Sequence, residues 1–315
     1  MTWGGEDRQV TEPGSVDLPP AGAEAVVQTE IEAPVPPAGK RRRDPSYPGI
    51  GQAVVLLLLL FLLQVLLTLP VAALWLTAHP AATAAVSLSS TAIVIAWGLR
   101  RTGTPIREVL PLGIVRPSVL MALAVTVVGL SVLLSELGNL LQSVLPPPTW
   151  FAEIMADLLG GKQSLWGSIL LATVVAPATE EPLFRGLILR GFLARYRVSK
   201  AIAASALLFA LFHLNPWQFA AGAATGVLFA WCFVRTRSLV PCIFGHAVNN
   251  SLGWLFLALH LKVPGYTGEW TEGIMRQPLW FDILGLLLAT AGIAWLAKAL
   301  RRPPAEPVTN GNAST

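Results

Sequence analysis

Eight long apolar runs, separated by short polar breaks, constrain this chain more than any other feature. They lie at about 51–77, 81–99, 118–144, 164–183, 201–214, 217–234, 239–261 and 279–299. A helix needs about 20 apolar residues to cross a bilayer. Most of the runs reach that length; the run at 201–214 is short and stops at Asn215-Pro216. Lipid offers no water to satisfy backbone N–H and C=O groups, so spanning segments of this kind fold as helices. The expected fold is an all-α, polytopic membrane helix bundle of about eight transmembrane helices. Composition agrees. Of 315 residues, 54% are hydrophobic and 13% charged, where soluble domains carry roughly a quarter charged residues. Mean hydropathy is +0.61.

The flanks are different in kind. Residues 1–46 are polar and rich in Pro, Ala and Glu, without apolar periodicity, and read as a disordered tail. Residues 303–315 read as a second tail, which bounds the transmembrane domain at 47–302. No apolar stretch precedes position 50, so no secretory signal peptide is expected. Two cysteines, Cys232 and Cys242, are too few for a disulfide framework and are expected as free thiols.

Orientation follows from the basic residues. The net charge of +4 is small, and Lys and Arg collect at run boundaries, which argues for membrane topology and against nucleic acid. Lys40, Arg41, Arg42 and Arg43 precede the first run and place the N-terminus inside. Eight crossings then group Arg100, Arg101, Arg107 and Arg116 on the same side. The same holds for Arg185, Arg190, Arg195, Arg197 and Lys200, then Arg235 and Arg237, then Lys298, Arg301 and Arg302. Of the 22 Lys and Arg residues, only Lys162, Lys262 and Arg276 fall outside this alternation. Both termini are expected in the cytoplasm. The outer loop at 145–163, with Trp150, Phe151, Ile154, Met155 and Leu158, has the spacing of a short interfacial helix. The loop at 263–278, with Tyr266 and Trp270, is expected at the same surface as part of an aromatic belt.

Charged groups at a helix centre cost about 2.5–3.5 kcal/mol each on insertion scales, so those that remain in the runs are candidates for function. They are Glu136, Glu180, Glu181, Arg185, His213, His246 and Asp282; His79 and His260 sit at run ends and read as surface histidines. Glu181 and Arg185 are four residues apart on one helical face and are expected to pair. Glu180 points about 100° away and lacks a local partner. An unpaired carboxylate in a dry site is suited to general acid–base work. Pro177 and Pro182 bracket the pair and are expected to break the helix, freeing backbone groups toward a cavity. A salt-bridged glutamate pair that only marks a helix end is the plainer reading. Phe209 and His213 share a face of the fifth run, and His246 and Asn250 share a face of the seventh, with Asn249 facing elsewhere. A carboxylate, two imidazoles and a carboxamide make an inventory for adding water to a carbonyl. Glu136, with Asn139 and Gln142, is expected to snorkel or to line a water path. Asp282 is expected as an N-terminal charge on the last helix.

The elements Glu180-Glu181-Pro182-Leu183-Phe184-Arg185, Phe209-Ala210-Leu211-Phe212-His213 and His246-Ala247-Val248-Asn249-Asn250 resemble, in this order on successive helices, the CPBP family. These are the CAAX-protease and bacteriocin-processing (Abi) intramembrane endopeptidases, which include the type II CAAX prenyl proteases. The resemblance covers roughly 164–255. It implies an intramembrane endopeptidase in which Glu180 activates water and His213 holds that water. His246 and Asn250 then stabilise the oxyanion, while Glu181, Arg185 and Phe209 support the site. The implied partner is a membrane-associated protein or peptide. No cofactor is favoured. Zinc held by Glu180, His213 and His246 is the alternative, although Asn is a poor zinc ligand and no H-E-x-x-H element occurs.

Two other readings stand beside this one. One is a non-catalytic scaffold or immunity protein of the same fold. The other is a proton-coupled transporter using Glu136, Glu180 and His213, although no internal repeat of the transporter kind is visible. High Ala, Arg and Gly usage suggests a bacterial chain and a bacterial cytoplasmic membrane, where prenylated substrate is less expected. The run boundaries leave a conflict of depth. At about 1.5 Å per residue, Asn250 and His213 lie roughly 16–18 Å from the cytoplasmic starts of their helices, with Glu180 close to the cytoplasmic face.

Overall fold

A computed structural model describes residues 43–74, 79–156, 165–267 and 275–301, without the side chains of 154–156. The regular structure of the described residues is all helical, with no strand among them. The eight apolar runs all become helices. We number them α1 (Ile50–Ala73), α2 (Pro80–Thr102), α3 (Pro117–Val144), α4 (the continuous helix 165–195), α5 (Val198–Phe212), α6 (Phe219–Thr236), α7 (Val240–Ala258) and α8 (Leu279–Arg301). Two short helices, Ile106–Val109 and Thr149–Ala156, lie in the connections. The second confirms a helix in the loop at 145–163. Most of the expected tails, Lys40 to Arg42, Arg302, Leu158, Lys162, Trp270 and the side chains of Ile154 and Met155 lie outside what is described.

Five helices, α1, α2, α3, α6 and α8, are long and apolar enough to cross a membrane. The protein is an integral, multi-pass membrane protein. Its outward side chains fit that solvent. Along α1 only Ala53, Leu56 and Leu60 are buried, while Val55, Leu58, Phe61, Leu62 and Leu69 are at least half exposed. The other three helices are the unusual ones. α5 has only 15 residues, α7 carries His246, Asn249 and Asn250 along its length, and α4 changes its winding twice.

In α4 the α-helical Leu165–Leu170 gives way to a π-helical turn, Leu171–Val175, then to α-helical Ala176–Glu181, a π segment Pro182–Leu189 and a last α turn Arg190–Arg195. The expected break at Pro177 and Pro182 is therefore corrected. Each proline removes a donor, and the helix answers by widening into π turns instead of ending. This resolves the conflict of depth. The helix runs on to Arg195, so Glu180 sits about 20 Å from that end. His213 follows the 15 residues of α5 and lies at a similar distance, about 22 Å, from the α5 start.

α4 is the centre of the bundle. Leu183 to Leu189 are all buried. Neighbouring backbones come so close that a Cβ on Gly186 would lie 2.5 Å from the Val109 carbonyl oxygen, and one on Gly191 would lie 2.4 Å from the Pro48 nitrogen. The Glu181 to Phe192 stretch is held at its lower end by Arg43 to Tyr47. Asp44 N–H donates to the Arg101 carbonyl at 3.0 Å, and the Asp44 carboxylate pairs with Arg195. α5 and α6 pack through small residues, with Gly222 on Ala210 and Gly226 on Ala206. Between them Asn215 Oδ1 accepts from the N–H groups of Trp217 (3.1 Å) and Gln218 (3.3 Å).

Two expectations about the opposite end change. Tyr266 is not part of a surface belt. Its hydroxyl lies 2.9 Å from Ser131 Oγ, and its ring packs edge-on against Phe256 and Phe281 at 5.0 and 5.1 Å. Glu136 neither snorkels nor stands alone. It pairs with Arg276, accepts from the Gln277 N–H at 3.0 Å and accepts from Asn139 Nδ2 at 3.1 Å. Asn139 also donates to the Gly265 carbonyl at 2.7 Å. This cluster ties α3 to the 263–278 connection. His79 and His260 are exposed, as expected, and Cys232 and Cys242 are buried free thiols.

α3 and α8 meet along a stripe of glycines. A Cβ on Gly129 would fall 2.2 Å from the Ala289 nitrogen, and one on Gly292 would fall 2.6 Å from the Thr126 nitrogen. Such close approach is how membrane helices gain contact when lipid supplies no hydrophobic drive. Gly129→Val is expected to force the pair apart and cost at least about 1–3 kcal/mol. Gly138→Val, whose Cβ meets nothing within 4 Å, is expected to be neutral. Thermal unfolding of both variants in detergent checks this; equal stability would refute the close-packed α3–α8 seam.

Candidate active site

The site begins with an orphaned carbonyl. In the first π turn of α4, the Ala176 N–H donates to Leu171 O, five residues back. Ala172 O has thereby lost its α-helical donor. Its π-helical donor would be residue 177, which is proline and has no N–H. A buried carbonyl must find a partner elsewhere, and Asn250 Nδ2 of α7 donates to it at 2.9 Å. Asn250 Oδ1 in turn accepts from Asn249 Nδ2 at 3.1 Å. Asn249 thus does not face elsewhere, as expected from spacing; it orients Asn250. One hydrogen of the Asn250 amide remains for another acceptor.

One turn further along α4, Glu181 is fully buried. Its Oε1 accepts from Arg185 Nη1 at 3.0 Å, the expected i,i+4 pair, with both side chains at most 1% exposed. The same oxygen lies 2.7 Å from His246 Nδ1, a link that sequence spacing did not suggest. Arg185 lies over the faces of Phe209 (4.3 Å) and Phe229 (5.5 Å) and reaches the Gly226 carbonyl at 3.4 Å. His246 stacks on Phe229 with 22° between planes and centroids 6.0 Å apart. The Glu181 contact engages His246 Nδ1, and Nε2 is left for chemistry.

His213 is set in a similar way. It stands just past the last residue of α5, with Nδ1 at 2.8 Å from the Phe209 carbonyl oxygen. A carbonyl only accepts, so Nδ1 donates and Nε2 of the neutral ring is an acceptor. The Phe209 ring lies 4.9 Å from the His213 ring and 5.9 Å from that of His246, so the two imidazoles flank one phenyl ring. Phe184 closes the other edge at 5.1 Å.

Glu180 is adjacent in the chain and only half-buried, yet its Oε2 is buried without a hydrogen-bond partner among the described residues. The structure thus brings Glu181, Arg185, His246, Phe209 and His213 into one chain of contacts, with Asn250 bound to the same helix; Glu180 precedes Glu181 in the chain, and Glu181 Oε2 is likewise buried without a hydrogen-bond partner among the described residues. Among the described residues no three His, Cys, Asp or Glu side chains are grouped so as to share a metal ion. Phe229, Asn249 and the Ala172 carbonyl were not legible in the motifs. Phe229 lies on α6, outside every motif, and the carbonyl is exposed by a change of winding.

Breaking the buried pair is the sharpest structural test. Arg185→Met removes the guanidinium from Glu181 and leaves the buried carboxylate with His246 alone, a change that costs about 3–5 kcal/mol in comparable sites. The variant is expected to lose stability on that scale. The double variant Glu181→Gln/Arg185→Met is expected to recover most of it, as read by thermal unfolding. A single variant as stable as wild type would show that the charge is not held in this way.

Residues 162–252 match the family described as type II CAAX prenyl endopeptidase Rce1-like. The matched stretch holds the Glu180-Glu181 pair with Arg185, Phe209 with His213, and His246 with Asn250. No curated protein and no solved structure matches the chain. Over this stretch, which is less than half of its length, the chain is similar to the type II CAAX prenyl endopeptidases, the family that its three motifs resemble.

Proposed function

We propose that this protein is an intramembrane endopeptidase that hydrolyses a peptide bond of a membrane-associated protein or peptide with water activated by Glu180. The observation that carries the reading is the Oε2 of Glu180, a buried acceptor without a partner among the described residues, one residue before Glu181, whose Oε1 holds His246 Nδ1; His213 Nδ1 is engaged by the Phe209 carbonyl. In this mechanism Glu180 takes a proton from a water held against His213 Nε2. The hydroxide attacks the scissile carbonyl carbon. His246, with a second proton on Nε2 balanced by the Glu181 carboxylate, and the remaining Asn250 N–H donate to the oxyanion. Collapse breaks the C–N bond, and the proton held by Glu180 or passed through His213 leaves on the amine. Glu181, Arg185 and Phe209 act through the imidazoles as positioning residues.

The proposal includes eight crossings with both termini in the cytoplasm, because that count alone sorts the Arg and Lys clusters to one side. The bacterial cytoplasmic membrane is the proposed location, and no cofactor is required for the steps above.

Comparison of the membrane and secreted proteomes of cells carrying wild type or Glu180→Gln tests this reading. A cleaved product is expected with wild type and a loss of at least about 10²–10⁴-fold with Glu180→Gln, the range for removal of a general base. His213→Ala is expected to fall likewise, and cleavage by wild type is expected to persist under strong chelation. Full biological function in Glu180→Gln would favour the scaffold reading and refute this one.

A further inference from the structure

A cavity of about 390 Å³ opens where the start of α1 meets the end of α2, well within the size range of small-molecule sites. None of the residues assigned to the protease site lines it. Its floor is aliphatic, made by Val55, Leu56 and Leu59, and Trp97 forms a wall. Arg101 stands one turn beyond Trp97, its guanidinium 5.4 Å from the indole centroid. The polar residues of the rim are not equivalent. Asp44 lines the cavity, but its carboxylate is taken by Arg195 and by the Ser46 N–H and hydroxyl. Gln52 Oε1 accepts from the Gly49 N–H at 2.8 Å. Arg101 is the group left over: its Nε is buried without a hydrogen-bond partner, and no carboxylate pairs with it among the described residues.

The position narrows the occupant. α1 turns an exposed apolar face, Val54, Val55 and Leu58, outward beside the cavity, so the site opens onto acyl chains. Arg43 and Arg100 stand at the same end of the helix pair. A Trp and an Arg together at a helix end suit the headgroup level of a bilayer. An inorganic anion would not need an aliphatic floor, and a neutral lipid would leave Arg101 unanswered. We propose that this cavity binds an anionic phospholipid of the surrounding bilayer, its phosphate on Arg101 and an acyl chain along Val55, Leu59 and Trp97. Such a lipid would link α1 to α2 where Asp44 and Tyr47 anchor the chain, without touching the residues of the protease site.

The full-length protein, reconstituted in phosphatidylcholine vesicles with or without phosphatidylglycerol and then extracted, is examined by native mass spectrometry. Wild type is expected to retain one phosphatidylglycerol in preference to phosphatidylcholine. Arg101→Gln is expected to weaken that retention about tenfold, the loss of one charge-assisted contact. Gly51→Phe should fill the cavity, because Gly51 lines it and a Cβ there meets nothing within 4 Å; it keeps the test in force if Arg101→Gln is not recovered folded. Equal retention of the two lipids, or unchanged retention in the variants, would overturn the proposal. Release of the lipid by millimolar inorganic phosphate would assign the site to a free anion instead.

Discussion

The Glu181 carboxylate, buried in a bundle whose solvent is lipid, is the constraint on which the rest of the site depends. An ionised group there is tolerable only if several donors reach it at once. Arg185 supplies one from the same helix and His246 another from α7. Arg185 itself is a buried cation, and it is accommodated by the faces of Phe209 and Phe229 and by the Gly226 carbonyl. α4, α5, α6 and α7 must therefore all be in place before the full set of these contacts is made. A network of that kind fixes one arrangement of helices more sharply than apolar packing alone. It also fixes the ring orientation of His246, on which any catalytic use of Nε2 depends.

The second constraint is the pair of prolines in α4. A proline in an ordinary membrane helix leaves a carbonyl without a donor. Here the widened turns move that vacancy to Ala172, where the Asn250 amide from α7 fills it. The same widening lets the helix continue past Glu181 to Arg195, so that its acidic pair lies in the interior of the bundle. The polar groups are consequently held by contacts between helices, and the two glutamates part ways: Glu181 Oε1 is held by Arg185 and His246, whereas no such contact reaches Glu180 Oε2 among the described residues.

Away from the site, the bundle meets lipid in two ways. α3 and α8 exclude it by backbone contact through Gly129, Gly285 and Gly292. α1 and α2 instead leave a space with an aliphatic floor and, at its rim, Arg101, whose Nε has no hydrogen-bond partner among the described residues. Both follow from the same physics. Where side chains are small, helices close; where Leu, Val and Trp diverge around an Arg, the bilayer's own molecules are the natural filling.

The amino-acid order by itself determined the helical class, the placing of the eight helices and the identity of the polar groups that must share the interior. Hydrophobic run length and the cost of charge in lipid act locally and leave a record in the sequence. The Glu181–Arg185 pair was legible for the same reason, since i,i+4 geometry is a property of one helix. The sharing of Glu181 with His246, the placing of Phe209 between two imidazoles and the capture of the Ala172 carbonyl by Asn250 were decided only by tertiary structure. So were the inward turn of Tyr266 and the engagement of Glu136. Each of these is a contact between elements far apart in the chain, set by how helices cross and wind. No periodicity along one helix records where a neighbouring helix will put its donor.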